Sequence, residues 1–130
     1  MNRCRLSLPC VPGEDAVKVC HPCHPAASAQ RELLEETGYE AREWIDLGHY
    51  RVDPNRGAGT GYLGLARGAH PVMEPNADDL EEQTLLQLDR SEMETALASG
   101  EFKVMAWTAG VALALLYLNR ESMGPQANQE

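Results

Sequence analysis

The string Arg31-Glu32-Leu33-Leu34-Glu35-Glu36-Thr37-Gly38-Tyr39 reads as the last turns of a helix, its stop, and the start of a new segment. Glu32, Glu35 and Glu36 fall at i, i+3 and i+4, so a helix places their three carboxylates on one face. Like charges at that spacing repel by roughly a few tenths of a kcal/mol per pair. A divalent cation turns that repulsion into coordination. Hard cations such as Mg²⁺ take oxygen ligands and are commonly shared between carboxylates and substrate phosphates. Gly38 sits where a helix C-terminus favours a residue tolerant of left-handed backbone. Tyr39 opens the next segment. The alternative is a glutamate-rich helix face that is simply solvated.

The same nine residues resemble the second half of the Nudix box, R-E-U-x-E-E-x-G-U with U a bulky apolar residue, and match every fixed position. Ala26, Ala27 and Glu40-Ala41 resemble the flanks found in ADP-ribose and ADP-sugar pyrophosphatases. The resemblance implies Glu32, Glu35 and Glu36 as ligands of Mg²⁺ (or Mn²⁺), with Arg31 orienting the carboxylates or holding the loop-helix. The first half of the box has no counterpart at its expected distance. The family's first Glu would fall at Cys23 and its Gly at Val17. Gly13 and Glu14, after Leu8-Pro9, resemble the residues that precede the box but lie further upstream.

Working outward, residues 1–25 read as an irregular N-terminal segment broken by Pro9, Pro12, Pro22 and Pro25, with Arg3–Leu8 as its one convincing strand. All four cysteines fall here: Cys4, Cys10, Cys20 and Cys23. Cys20-His21-Pro22-Cys23-His24 admits haem attachment, a zinc half-site completed by Cys4 or Cys10, a redox pair, or incidental thiols.

After the box, residues 42–52 suit a strand with a bulge near Gly48. Residues 53–61, Asp-Pro-Asn-Arg-Gly-Ala-Gly-Thr-Gly, read as a loop. Its glycines permit close backbone approach to a ligand. No G-K-[ST] ending follows, so it is not a P-loop. The resemblance puts this loop beside the substrate and makes Arg56 a phosphate contact. Residues 62–67 and 83–89 read as strands. The acidic cluster Asp78, Asp79, Glu81, Glu82 resembles the family segment that supplies a late metal ligand or general base, with Glu82 preferred.

Ser91-Glu92-Met93-Glu94 reads as a capping box opening a helix that ends at Gly100. Residues 103–119 form a second helix, apolar nearly all round, that is buried or covered by a partner. Residues 120–130 read as a frayed tail.

Composition bounds the functional class. At 130 residues the chain is one domain. Its net charge is −9, with 20 acidic against 11 basic residues. That excludes nonspecific nucleic-acid or anionic-membrane binding, which needs a basic surface. Neither a long uninterrupted apolar run nor a signal peptide is visible, and a cytoplasmic location is expected.

By resemblance the fold class is α/β, a Nudix-like α/β/α sandwich over residues 26–119 around a mixed sheet that lacks N-terminal strands. An incomplete sheet leaves an edge that pairs with another chain, so a homodimer is expected. The implied activity is Mg²⁺-dependent hydrolysis of the pyrophosphate bond of a nucleoside diphosphate derivative such as ADP-ribose or an ADP-sugar. Two alternatives stand beside it: a catalytically impaired or truncated Nudix-like binding protein, and a small zinc-binding module.

Overall fold

The computed structural model describes residues 9–11, 15–20, 25–56, 58–75 and 85–124. They form a mixed α/β arrangement with the order β1 (Pro9–Val11), β2 (Asp15–Cys20), α1 (Pro25–Thr37), β3 (Tyr39–Glu40), β4 (Glu43–Asp53), β5 (Ala58–Arg67), β6 (His70–Pro71), β7 (Leu86–Gln87), α2 (Arg90–Ala98) and α3 (Met105–Met123). Five strands make one sheet in the order β4-β5-β2-β1-β7, and β3 pairs with β6 in a small separate ribbon. Neighbours in the large sheet are antiparallel except β1 and β7, which run parallel.

The side chains of β5 set the layering. Successive side chains on a strand point to opposite faces. Leu65 packs with Ala114 and Leu118 of α3 and with Ile45 and Leu47 of β4. Its neighbour Ala66 packs instead with Leu33 of α1 and with Trp44. Helices α1 and α3 therefore cover opposite faces of the sheet. Leu65 and Leu33 are 1% and 2% exposed, and burying each side chain stabilises the fold by roughly 1.5–3 kcal/mol. A third cluster of Met93, Val111 and Leu115, with Leu88, Leu97 and Phe102 around it, locks α2 onto α3.

Within the first 25 residues the structure corrects the reading of an irregular segment that leaves the sheet short of strands. Asp15–Cys20 pairs with β5 over six residues, from Asp15 opposite Arg67 to Cys20 opposite Tyr62. Pro9–Val11 pairs on the other side of β2. The prolines lie outside the paired run of β2, and Val17-Lys18-Val19 has the alternation of a strand. Arg3–Leu8 lies outside the described residues.

Downstream, the expected bulge is present, with a register shift between Asp46 and Gly48. Gly48 has φ +108°, and Asp46 Oδ1 accepts its N–H at 2.8 Å. Strand β5 begins at Ala58, four residues before the expected start, because pairing with β4 carries the glycine-rich run into the ladder as far as Asp53 opposite Ala58. The remaining turn is tightened by Asp53 Oδ1, which accepts from the N–H groups of Asn55 and Arg56. Strand β7 is confined to Leu86–Gln87.

The capping box of α2 is Asp89 with Glu92, two residues before the expected Ser91 and Glu94. Asp89 Oδ1 accepts the Glu92 N–H, and Glu92 Oε2 accepts the Asp89 N–H, both at 2.8 Å. Asp caps a helix as well as Ser does. Met93 and Ala96 form the buried face of the helix. Gly100 follows the helix with φ +73°. Helix α3 runs to Met123, past the expected end at residue 119. It is one-sided rather than buried all round. Gly110, Val111, Ala114, Leu115 and Leu118 face inward while Leu116 is 53% exposed. Residues 125–130 lie outside the described set.

Candidate functional site

Helix α1 carries the residues that the sequence singled out. Pro25 opens it, where a missing N–H costs nothing. Ala29 and Leu33, four apart, form its buried stripe. The turn that holds the glutamates is fixed at its C-terminus by several contacts. Thr37 Oγ1 donates to Leu33 O at 2.6 Å and accepts the Tyr39 N–H at 3.2 Å. Gly38 N–H donates to Leu34 O at 2.8 Å. Gly38 has φ +74°, the conformation expected of a helix C-terminus. Its carbonyl accepts the N–H groups of Val72 (2.9 Å) and Met73 (3.3 Å). A Cβ at this position would lie 2.0 Å from Met73 O. The backbone after β6 is thus seated on the end of the glutamate helix, and only glycine leaves room for it.

The three glutamates differ in setting. Glu32 and Glu36 are half-buried, Glu35 is exposed, and the Glu36 Oε2 atom is screened from solvent. Glu32 and Glu36 each interact with other groups of the chain. Arg31 and Glu35 form an i,i+4 ion pair at 4.0 Å with both side chains largely in solvent. Such a pair contributes about 0.3–0.5 kcal/mol. Arg31 therefore steadies the outward carboxylate of the trio. Among the described residues, no three His, Cys, Asp or Glu side chains converge closely enough to hold a metal ion. As placed, Glu32, Glu35 and Glu36 do not form a metal cage. Glu82, with Asp78, Asp79 and Glu81, lies outside the described residues. So do His21, Cys23 and His24 of the cysteine–histidine string.

Arg56 stands at the tip of the β4–β5 hairpin, with its guanidinium 3.7 Å from Asp53 Oδ2 and largely in solvent. Leu33 packs at the level of Ala66, eight residues along β5 from Ala58 at the hairpin end. At the usual rise that is roughly 26 Å of strand. The structure does not bring Arg56 to the glutamates.

Two features near the site were not anticipated. His70 and Pro71 pair with Glu40 and Tyr39, which holds residues 70–73 against the end of α1. Gln87 Nε2 donates to the Tyr39 hydroxyl at 3.2 Å, tying β7 to the residue that closes the box. Neither contact leaves a local signal, because both join segments far apart in the chain.

Among the described residues no helix is long and apolar enough to cross a membrane. Comparison with models of known protein families gives no match, and comparison with curated proteins gives none either.

Proposed function

We propose that the chain is a Nudix-type hydrolase that cleaves the pyrophosphate bond of a nucleoside diphosphate derivative such as ADP-ribose or an ADP-sugar, with Mg²⁺ or Mn²⁺ as cofactor. The observation that carries the reading is residues 31–39. Their match to the half-box is complete, and they stand on a helix whose stop at Gly38 is clamped by the backbone of residues 72–73. The surroundings support it further. A mixed sheet with helices on both faces suits the α/β/α sandwich of that family, and β2 and β1 supply strands ahead of the box helix.

In this reading Glu32, Glu35 and Glu36 are the cation's ligands on α1. As placed their carboxylates do not converge, so holding a cation would need their side chains to turn toward one another, and Glu82 is the late ligand or general base that the resemblance implies. A Mg²⁺ ion held by these carboxylates would supply neutralisation of diphosphate charge and a more acidic bound water. Arg31 is a positioning residue for Glu35.

The unconverged carboxylates favour a second reading, a Nudix-like binding protein without turnover. One experiment separates the two. ADP-ribose and a panel of nucleoside diphosphate derivatives are incubated with the parent chain and with Glu36→Gln, with and without Mg²⁺. Cleavage that requires Mg²⁺ and is lost in the variant supports the hydrolase. Binding of Mg²⁺ and ADP-ribose by calorimetry without cleavage supports the binding protein. A folded chain that does neither refutes both.

A further inference from the structure

Strand β4 is eleven residues long and is the outermost strand of the sheet. Among the described residues no strand pairs with its outer edge. At the bulge the Gly48 N–H is held by Asp46 Oδ1 and the Leu47 carbonyl accepts from the Tyr50 hydroxyl at 2.9 Å, so the template for another strand is the unpaired backbone on either side of it. Unlike β5, β4 has no fully buried residue. Beside it runs an open groove of about 680 Å³ between β4 and α3, lined by Asp46, Leu47, Leu113, Leu116 and Tyr117 among others. Leu116, Tyr50 and Val52 are 53%, 48% and 56% exposed along the same margin.

We infer that the outer edge of β4 pairs antiparallel with β4 of a second copy of this chain, about a two-fold axis between Leu47 and Gly48, making one continuous sheet across two molecules. This inference does not rest on the hydrolase reading.

The sequence of the strand selects the partner and the register. Ile45 and Leu47 lie on the α3 face with Leu65. Across the bulge, Gly48 opposes Leu63 and Tyr50 opposes Gly61, so Gly48, Tyr50 and Val52 share that face. Trp44, Asp46, His49 and Arg51 lie on the other. An axis between Leu47 and Gly48 sets Ile45 against Tyr50 and Glu43 against Val52 on the α3 face. On the α1 face it sets Asp46 against His49 and Trp44 against Arg51. Each pair joins residues of the same face, as antiparallel neighbours must. The polar matches are complementary, a carboxylate with an imidazole and an indole with a guanidinium, and the two-fold repeats each of them.

A slip of one residue sets α3-face side chains against α1-face ones and loses these pairs. The bulge, which ordinarily guards an edge against pairing, falls at the axis in both copies. The two irregularities then oppose one another instead of interrupting a regular partner. With the copies so placed, Leu47 and Tyr50 of the second copy run alongside the groove rimmed by Leu116.

The test is sedimentation equilibrium of the full chain, whose monomer mass is 14.3 kDa. The expected mass is twice that at high micromolar concentration. Arg51→Asp combined with Val52→Lys changes only exposed side chains of the edge and is expected to weaken dimerisation at least tenfold with an unaltered circular dichroism spectrum. Met105→Lys, 87% exposed at the far start of α3, is expected to leave it unchanged.

Hydrogen exchange provides a readout free of mutation. Amides of residues 44–51 are expected to gain protection as concentration rises. A monomeric parent at high micromolar concentration overturns the inference. So does a dimer that survives the edge variant, or one whose concentration-dependent protection lies outside β4.

Discussion

Substituting Gly38 by alanine tests whether the end of the glutamate helix is held as described. Two costs combine at this position. The first is conformational. At φ +74°, an L-residue in the left-handed region costs about 1–2 kcal/mol. The second is steric. A Cβ 2.0 Å from Met73 O cannot be accommodated by rotating a side chain, because the neighbour is backbone. Either α1 ends differently or the backbone at residues 72–73 moves away and loses its two hydrogen bonds to Gly38 O. Each of those contributes about 0.5–1.5 kcal/mol. The expected loss for Gly38→Ala is therefore about 2–5 kcal/mol.

Gly100 supplies an internal control. Its φ is +73°, the same within a degree, but nothing lies within 4 Å of its added Cβ. Gly100→Ala is expected to cost only the conformational part, about 1–2 kcal/mol. Urea unfolding of both variants, followed by circular dichroism, measures the two losses on one scale. The difference between them isolates the seating of residues 72–73 on the helix end. If Gly38→Ala costs no more than Gly100→Ala, that seating is wrong. The view that it fixes the turn bearing Glu36 then falls with it.

Asp89→Ala is expected to destabilise the fold by about 1 kcal/mol, against a few tenths for Ser91→Ala. Urea midpoints in the reverse order would refute the capping box at Asp89 and Glu92. Leu65→Ala and Leu33→Ala are each expected to lose about 2–5 kcal/mol by opening cavities on opposite faces of the sheet. A loss below 1 kcal/mol for either would contradict the burial of that side chain. Glu121→Gln keeps an acceptor oxygen but removes the negative charge that lies 2.9 Å from the Arg67 guanidinium. Because both side chains are partly solvated, the expected loss is under about 1 kcal/mol, and adding salt should shrink it further. If the proposed hydrolase reading holds, EDTA abolishes ADP-ribose cleavage and added Mg²⁺ restores it. Turnover that persists in excess chelator would sink that reading.

What was legible in the sequence was local. Gly38 at the end of α1 and the bulge at Gly48 each depend on one residue's backbone and its immediate neighbours, so both could be placed in advance. The two possible capping boxes interleave, Asp89 with Glu92 and Ser91 with Glu94. Nothing local chooses between them. In the structure Asp89 takes the cap, and Met93 and Ala96 lie on the buried face of the helix. Strand β2 has alternating valines but sits among prolines. Its identity depends on β5, some forty residues later. The glycines at 59 and 61 read as loop because the pairing of β4 with β5 is not visible in them. For the candidate site, helical spacing places Glu32, Glu35 and Glu36 on one face. It says nothing of how far their side chains reach toward each other, and that distance governs whether a cation can be held.

The opposed packing of Leu65 and Ala66 has a consequence for how the gene tolerates change in length. A single codon inserted or deleted between Leu63 and Ala66 inverts every later side chain of β5, presenting α1's partners to α3 and the reverse. The domain has no way to absorb that in its central strand. The extra residue already carried by β4 is harmless because it sits at an edge, where a bulge bends one strand without reversing its neighbours. Length variation should accordingly gather in the turn at Pro54–Arg56, which touches neither helix layer. An epitope or a fluorophore-binding peptide spliced into that turn should leave the packing of both faces intact.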